Sequence, residues 1–155
     1  MSLSLSACAW FSNKPAVPIM PAPTRVAVTI KAGQDVNPDA QGHGSPLELR
    51  LYELRGASTF QSADFFAIYE KDQATLGADM AAKKDLVIQP GDKKVLMLEP
   101  AAGTQYVGVF AAYRQLDNAR WRAVTPIVAQ RTGVVEIKLD GTRMSLETPA
   151  VAPLP

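Results

Sequence analysis

The sequence predicts a two-sheet antiparallel β-sandwich of about eight strands, transthyretin-like in architecture, with a short helical insert. Three observations predict it. Several segments alternate apolar with polar residues, turn-forming residues separate them at hairpin intervals, and one central stretch switches its apolar spacing to that of a helix.

The first strand is read from Val26, Val28 and Ile30, which alternate with Arg25, Thr29 and Lys31 and so give one buried face. Leu47, Leu49 and Leu51 alternate with Glu48, Arg50 and Tyr52 in the same way. Residues 34–46 lie between them and are rich in Gly, Pro, Asn, Asp and Ser, which predicts a long exposed loop. Ser58 and Gln61 have the spacing of a capping box, so a helix is expected over about residues 59–71. Phe60, Ala63 and Ala67 supply its apolar face, with Phe66 and Tyr69 offset. Gly77 interrupts any continuation, and the whole insert, about residues 59–82, is expected to pack as a lid on one edge or end of the sheets.

In the second half, residues 86–88 and 95–98 flank Gln89-Pro90-Gly91-Asp92, a pattern that fits a type II turn. A long strand over residues 104–115, containing Tyr106 to Phe110, turns at Asp117-Asn118 into a strand over residues 120–128. Residues 134–139 and 142–146 meet at Asp140-Gly141, the two-residue signal of a type I′ hairpin. One sandwich domain is therefore expected over residues 24–147, followed by a loose Pro-rich tail at 148–155.

A chain of 155 residues is long enough for one such core, and 47% hydrophobic against 20% charged residues places it in the globular class. With 16 basic and 15 acidic side chains, and no basic cluster longer than Lys83-Lys84 or Lys93-Lys94, a nucleic-acid partner is not expected. Both lysine pairs read as solvated. Cys8 is the only cysteine, so the core alone must hold the fold.

That cysteine closes Leu5-Ser6-Ala7-Cys8, which resembles a bacterial lipobox whose thiol receives a diacylglycerol; Cys8 is the candidate lipidation site. The basic and apolar regions of a secretion signal are missing before it, so the sequence reads as shortened at its start or misassigned in its initiation. Residues 12–23 carry four prolines and read as an extended tether. From Cys8 to Pro23 such a spacer reaches about 45 Å. Residues 1–23 thus form a lipobox remnant and tether.

No arrangement of residues points to catalysis. His43 is the only histidine and stands between two glycines in the long loop, without a second His or Cys to share a metal. Asp64, Asp79 and Asp85 surround the helical insert with no spacing that sets two of them together, and solvated or capping roles are expected. Trp121 is expected to pack in the core while Arg122 points outward, and Phe65, Phe66 and Tyr69 are expected to anchor the helix. No catalytic residue, metal, cofactor or small-molecule substrate is assigned.

Taken together, these segments resemble the TssJ family, the outer-membrane lipoproteins of type VI secretion systems. The likeness runs from the lipobox at Cys8 through Asn37-Pro38-Asp39, Gly44-Ser45-Pro46, residues 50–54, Phe60, Ala63-Asp64-Phe65 and residues 76–79. It continues through Pro90-Gly91, Gly108-Val109, Tyr113-Arg114 and Trp121-Arg122, and so covers nearly the whole domain. The resemblance implies a transthyretin-like sandwich anchored at the periplasmic face of the outer membrane, with Ala9 after the cysteine consistent with that sorting. It implies that the protein is not an enzyme but a scaffold, which holds the C-terminal periplasmic region of TssM and, with TssL, helps assemble the trans-envelope complex. The family's loop between the first two strands corresponds to about residues 34–46, which makes Val36, Asn37, Pro38, Asp39, Gln41, His43 and Ser45 the candidate partner-binding residues. Asn37-Pro38 and Ser45-Pro46 are expected to stiffen the loop ends by keeping the residues before proline extended. A function of another class stays open: a periplasmic small-ligand or carbohydrate-binding sandwich with Trp121 and Tyr113 as its stacking platform.

Overall fold

The computed structural model describes residues 15–149. Eight strands form two four-stranded sheets that face each other across the core. The first sheet holds β1 (Arg25–Ala32), β4 (Lys93–Leu98), β7 (Thr132–Asp140) and β8 (Arg143–Glu147), in the order β4-β1-β7-β8. In the second, β2 (Leu47–Leu54), β3 (Met80–Ile88), β5 (Tyr106–Ala111) and β6 (Arg122–Pro126) take the order β3-β2-β5-β6. Pro15 to Pro23 form neither helix nor strand and lie exposed.

The period-two pattern works as read. Val26, Val28 and Ile30 of β1, Leu47, Leu49 and Leu51 of β2, Val107 and Val109 of β5 and Ile137 and Leu139 of β7 are all buried between the sheets. Each such side chain contributes about 1.5–3 kcal/mol by leaving water. One pairing departs from the antiparallel rule: β1 and β7 run parallel, from Arg25 beside Thr132 to Ala32 beside Leu139. Alternation records which face is buried but not which strand lies alongside, so the sequence carried no signal for that crossover.

Turns and boundaries differ in detail. Asp92 donates to the Gln89 carbonyl at 3.0 Å and Gly91 has φ +79°, the turn read from Pro90-Gly91. In the last hairpin Asp140 pairs with Arg143, so Gly141-Thr142 is the two-residue loop. Only Gly141 of those two has positive φ, which excludes type I′, where both central residues need it. β3 begins at Met80, not near residue 86, because residues 80–82 pair with Leu54 and Glu53 across an irregularity in β2 and the ladder overrides their helix preference.

The insert is two helices, α1 (Ser58–Ser62) and α2 (Phe65–Leu76), and it covers the outer face of the second sheet instead of an edge or end. Outward-facing Tyr52 and Phe110 are thereby as buried as the inter-sheet core, packed with Phe60, Ile68 and Leu76. The expected capping box does not form: Ala57 precedes α1 without a side-chain cap. Asp64 caps α2 instead, accepting from the Ala67 amide at 2.9 Å. Phe66 points to solvent and Tyr69 is partly exposed, so Phe65 is the aromatic of this helix that anchors, tilted against Phe110 at 5.0 Å and edge-on to Trp121 at 5.3 Å. Arg122 does not point outward. Its guanidinium lies over the Trp121 ring and donates to the carbonyls of Phe60 and Ala63 at the end of α1.

Helix α2 is broken at Lys71, where φ is −140°, and the carbonyls freed there need donors. Arg50 of β2 supplies them, donating to Tyr69 at 3.0 Å and Ile68 at 3.3 Å, while Thr75 donates to Ala67 at 2.8 Å. The same guanidinium pairs with Glu48 at 2.7 Å and packs against the rings of Tyr69 and Phe110. Asp72, just after the break, accepts from Lys83 at 2.7 Å and from the Tyr52 hydroxyl at 3.0 Å, so Lys83 is an ion-pair partner and not a merely solvated lysine. Burial opposes the charge on Asp72, but these donors and the Gln73 amide outweigh it and hold the carboxyl below its ordinary value. The Tyr52 hydroxyl is pushed the other way, mainly by burial.

Asp72→Ala is expected to destabilise the domain by about 3 kcal/mol in urea unfolding at neutral pH, because Tyr52 and Lys83 lose their acceptor and Arg50 loses a counter-charge 3.5 Å away. A depressed folded-state pKa stabilises above the ordinary carboxylate value and ceases to do so as pH falls through the folded value. The difference between parent and variant should therefore shrink below about pH 4.

Candidate partner-binding site

The β1–β2 loop leaves the sandwich at the end opposite the N-terminal segment, since residues 15–24 lead into β1 at Arg25 and the loop departs after Ala32. At about 3.3 Å per residue, the strand separates them by roughly 25 Å. Three other connections share the loop's end: the β3–β4 turn, through the Gly91 amide on the Gly33 carbonyl, the β5–β6 loop, and the β7–β8 hairpin.

Asn37 ties these together. Its backbone amide donates to Gly141 at 2.8 Å, its side-chain Nδ2 donates to the Pro46 carbonyl at 2.8 Å, and its Oδ1 accepts from the Arg114 amide at 2.9 Å. Its φ is +50°, so the residue before Pro38 is not extended as expected. Asparagine tolerates the left-handed region better than most residues, and three hydrogen bonds hold it there. The Ser45 amide donates to Val36 at 2.9 Å and closes the base of the loop. Gly44 is required there, because a Cβ would overlap the carbonyl oxygen of Gln34.

Above this base the tip is built on Asp39. Its Oδ1 accepts from the amides of Gln41 at 2.8 Å and His43 at 2.9 Å, and its own amide donates to the His43 carbonyl at 2.8 Å. The His43 amide, first among these, holds the Asp39 carboxyl below its usual range. His43 Nδ1 stands 3.5 Å from Asp39 Oδ2 while the imidazole is 80% exposed. Gly42, with φ +84°, makes the turn at the tip.

The seven candidate residues therefore divide. Val36, Asn37 and Ser45 are buried, at 0%, 3% and 7% exposure, and serve as the loop's internal bracing, which corrects the expectation of an exposed loop throughout. Gln41 and His43 project fully, and Pro38 and Asp39 lie at the surface between them and the base. Sequence reading missed the contributions of Arg114 and Gly141, which act through backbone groups and carry no side-chain signal. Beside the loop, Arg114, Leu116, Asp117, Asn118 and Thr142 line an open hollow of about 580 Å³.

The other candidates do not converge. Tyr113 is 3% exposed, its hydroxyl buried without a hydrogen-bond partner among the described residues, so it forms no stacking platform with Trp121. Burial raises that hydroxyl's pKa further. Asp64 caps α2, Asp79 accepts from the Thr59 hydroxyl at 2.8 Å, and Asp85 lies 3.6 Å from Arg50. Among the described residues no group of three or more His, Cys, Asp or Glu is placed to hold a metal, and no helix is long and apolar enough to cross a membrane. Cys8 lies outside the described residues.

Residues 24–142 match the family model described as "Type VI secretion lipoprotein, VasD, EvfM, TssJ". Among solved structures, the chain is similar to the T6SS lipoprotein TssJ1 from Pseudomonas aeruginosa, at 36% identity and a TM-score of 0.80, over 86% of this chain and 99% of that one. Serratia marcescens Lip, a membrane-bound component of the type VI secretion system, matches at 23% identity and a TM-score of 0.73, over 79% and 96% of the two chains. A chain of a type VI membrane complex matches at 25% identity and a TM-score of 0.68, over 79% and 97%. No curated protein sequence matches.

The bracing gives a direct test. Asn37→Ala should lower unfolding free energy by about 2 kcal/mol, since it leaves two partly buried backbone groups without their partner and forces a Cβ residue other than Asn into the left-handed region. Asn37→Gly should be milder by about 1 kcal/mol, because only the hydrogen bonds are lost. Equal losses in denaturant titrations would remove the backbone conformation from the account.

Proposed function

The chain belongs to the TssJ family of type VI secretion lipoproteins, and we propose that it works as a periplasmic scaffold: Cys8 carries the lipid that holds it to the outer membrane, and the β1–β2 loop grips the C-terminal periplasmic region of TssM, in a complex that also contains TssL. One observation carries this reading. The tether enters one end of the sandwich and a braced loop leaves the other, so a domain hung from a membrane by its N-terminus presents the loop away from that membrane.

The physical fit is good at both ends. Leu5-Ser6-Ala7-Cys8 has the lipobox pattern, and the proline-spaced tether gives a modified cysteine room to reach a bilayer. Each acyl chain contributes about 0.8 kcal/mol per buried methylene, and more than one chain makes such an anchor stable. At the far end, the loop is fixed before binding, so little conformational entropy remains to be lost on docking. Gln41 offers an amide and His43 an imidazole to a partner while their backbones stay locked to Asp39.

The experiment is calorimetric titration of the domain with the periplasmic C-terminal region of its cognate TssM. Replacing Gln41 and His43 together by Ala should weaken the complex about tenfold while leaving the fold intact, as for side chains at the centre of a small interface. Unchanged affinity takes the loop out of the contact. Separately, Cys8→Ser behind a complete signal should move the protein from the membrane to the soluble periplasmic fraction; retention in the membrane would remove the lipid from the proposal.

A further inference from the structure

The outer face of the first sheet is covered by charge in its interior and by apolar residues at one edge. Lys31 of β1 donates to Glu136 of β7 at 2.8 Å, and Lys138 of β7 donates to Glu147 of β8 at 2.9 Å. On β4, at the edge, that face instead presents Val95 at 69% and Met97 at 54% exposure, between exposed Lys93 and Glu99. Alternation puts all four side chains on the same face.

Their backbone groups also face outward from the sheet. β1 and β4 pair antiparallel with Lys31 opposite Lys93 and Val26 opposite Leu98, and the Ala32 amide donates to the Asp92 carbonyl. Opposite residues that exchange backbone hydrogen bonds alternate with residues that do not, so the even-numbered residues of β4 bond to β1 and the odd-numbered ones turn N–H and C=O to the free edge. The same parity puts the Arg25 amide of β1 toward β7's side, on the Arg131 carbonyl. The free edge of β4 thus carries open backbone groups at Lys93, Val95 and Met97, with Glu99 directly after the strand and no proline or bulge within Lys93–Leu98 to block pairing.

This segment is complementary to itself. Laid antiparallel on a second copy with Leu96 opposite Leu96, the pairs become Lys93 with Glu99, Val95 with Met97, and the same two pairs again by symmetry. Val95 and Met97 fall in the hydrogen-bonded positions, which their open backbone groups require. Both apolar side chains leave water, and at each end Lys93 gains Glu99 of the other copy, an exposed carboxylate that within its own chain already lies 3.4 Å from Arg25. We propose that the protein forms a symmetric dimer through antiparallel pairing of β4 with β4 of a second copy, joining the two first sheets into one eight-stranded sheet. The contact is isologous, as a two-fold axis demands. It is short, so the dimer is weak and its population depends on concentration.

The test uses the full chain carrying Cys8→Ser, which prevents disulfides between copies, in sedimentation velocity over a concentration series into the millimolar range. A monomer–dimer equilibrium is expected. Lys93→Glu places Glu opposite Glu99, Glu99→Lys places Lys opposite Lys93, and each should weaken the dimer about tenfold because two pairs turn from attractive to repulsive. The double exchange Lys93→Glu with Glu99→Lys should return the dimer to near its original strength, a rescue that no fold defect would produce. Circular dichroism of each variant confirms that the sheets are intact. A monomer at every concentration overturns the proposal and gives the edge to a strand of some other protein; a dimer indifferent to the single exchanges, or weakened by them without rescue, overturns this register.

Discussion

Arg50 is the interaction on which the arrangement of the second sheet depends. A strand residue on the outward face of β2 would ordinarily meet water, but here helix α2 lies on that face and its guanidinium is enclosed. A buried cation persists only when its donors are used and its charge is met. Arg50 meets both conditions by filling the carbonyls left open where α2 breaks, pairing with Glu48, and lying against Tyr69 and Phe110. The break at Lys71 and the arginine beneath it therefore explain each other. Tyr52, Asp72 and Lys83 extend the same network across to β3.

With the second sheet covered on both faces, the first sheet is left to meet solvent and other molecules with its outer face. Its central strands do so with ion pairs, which keep that face wet. The two sheets consequently divide the work of the molecule. One is stiffened by helices and aromatic packing, while the other offers a free strand edge at β4.

The loop at the end of the sandwich shows how a segment can be irregular and still rigid. Its buried residues give it a base as well packed as the core, and Asn37 uses both ends of its amide to join two segments far apart in sequence. Asp39 repeats the principle at the tip, holding a short turn by accepting backbone amides. What remains for a partner is a small set of side chains on a fixed frame. Such a frame suits the partner-holding role proposed for the loop, because affinity then depends on shape already present.

Periodicity, read together with the turn residues, determined that this chain is a sandwich, which residues face between the sheets, and roughly where the helical insert and the Pro90-Gly91 turn fall, because burial of alternate residues writes itself directly into composition along a strand. The resemblance of its short segments likewise pointed to the right family. Only the tertiary structure decided that β1 lies parallel to β7, that the helices cover a face and not an edge, and that Arg122 caps α1. It alone separated Val36, Asn37 and Ser45, which brace the loop, from Gln41 and His43, which project from it. The reason is common to all of these: each rests on backbone groups or on residues distant in sequence, such as Gly141 and Arg114 at Asn37, and a backbone carbonyl is the same whatever residue carries it.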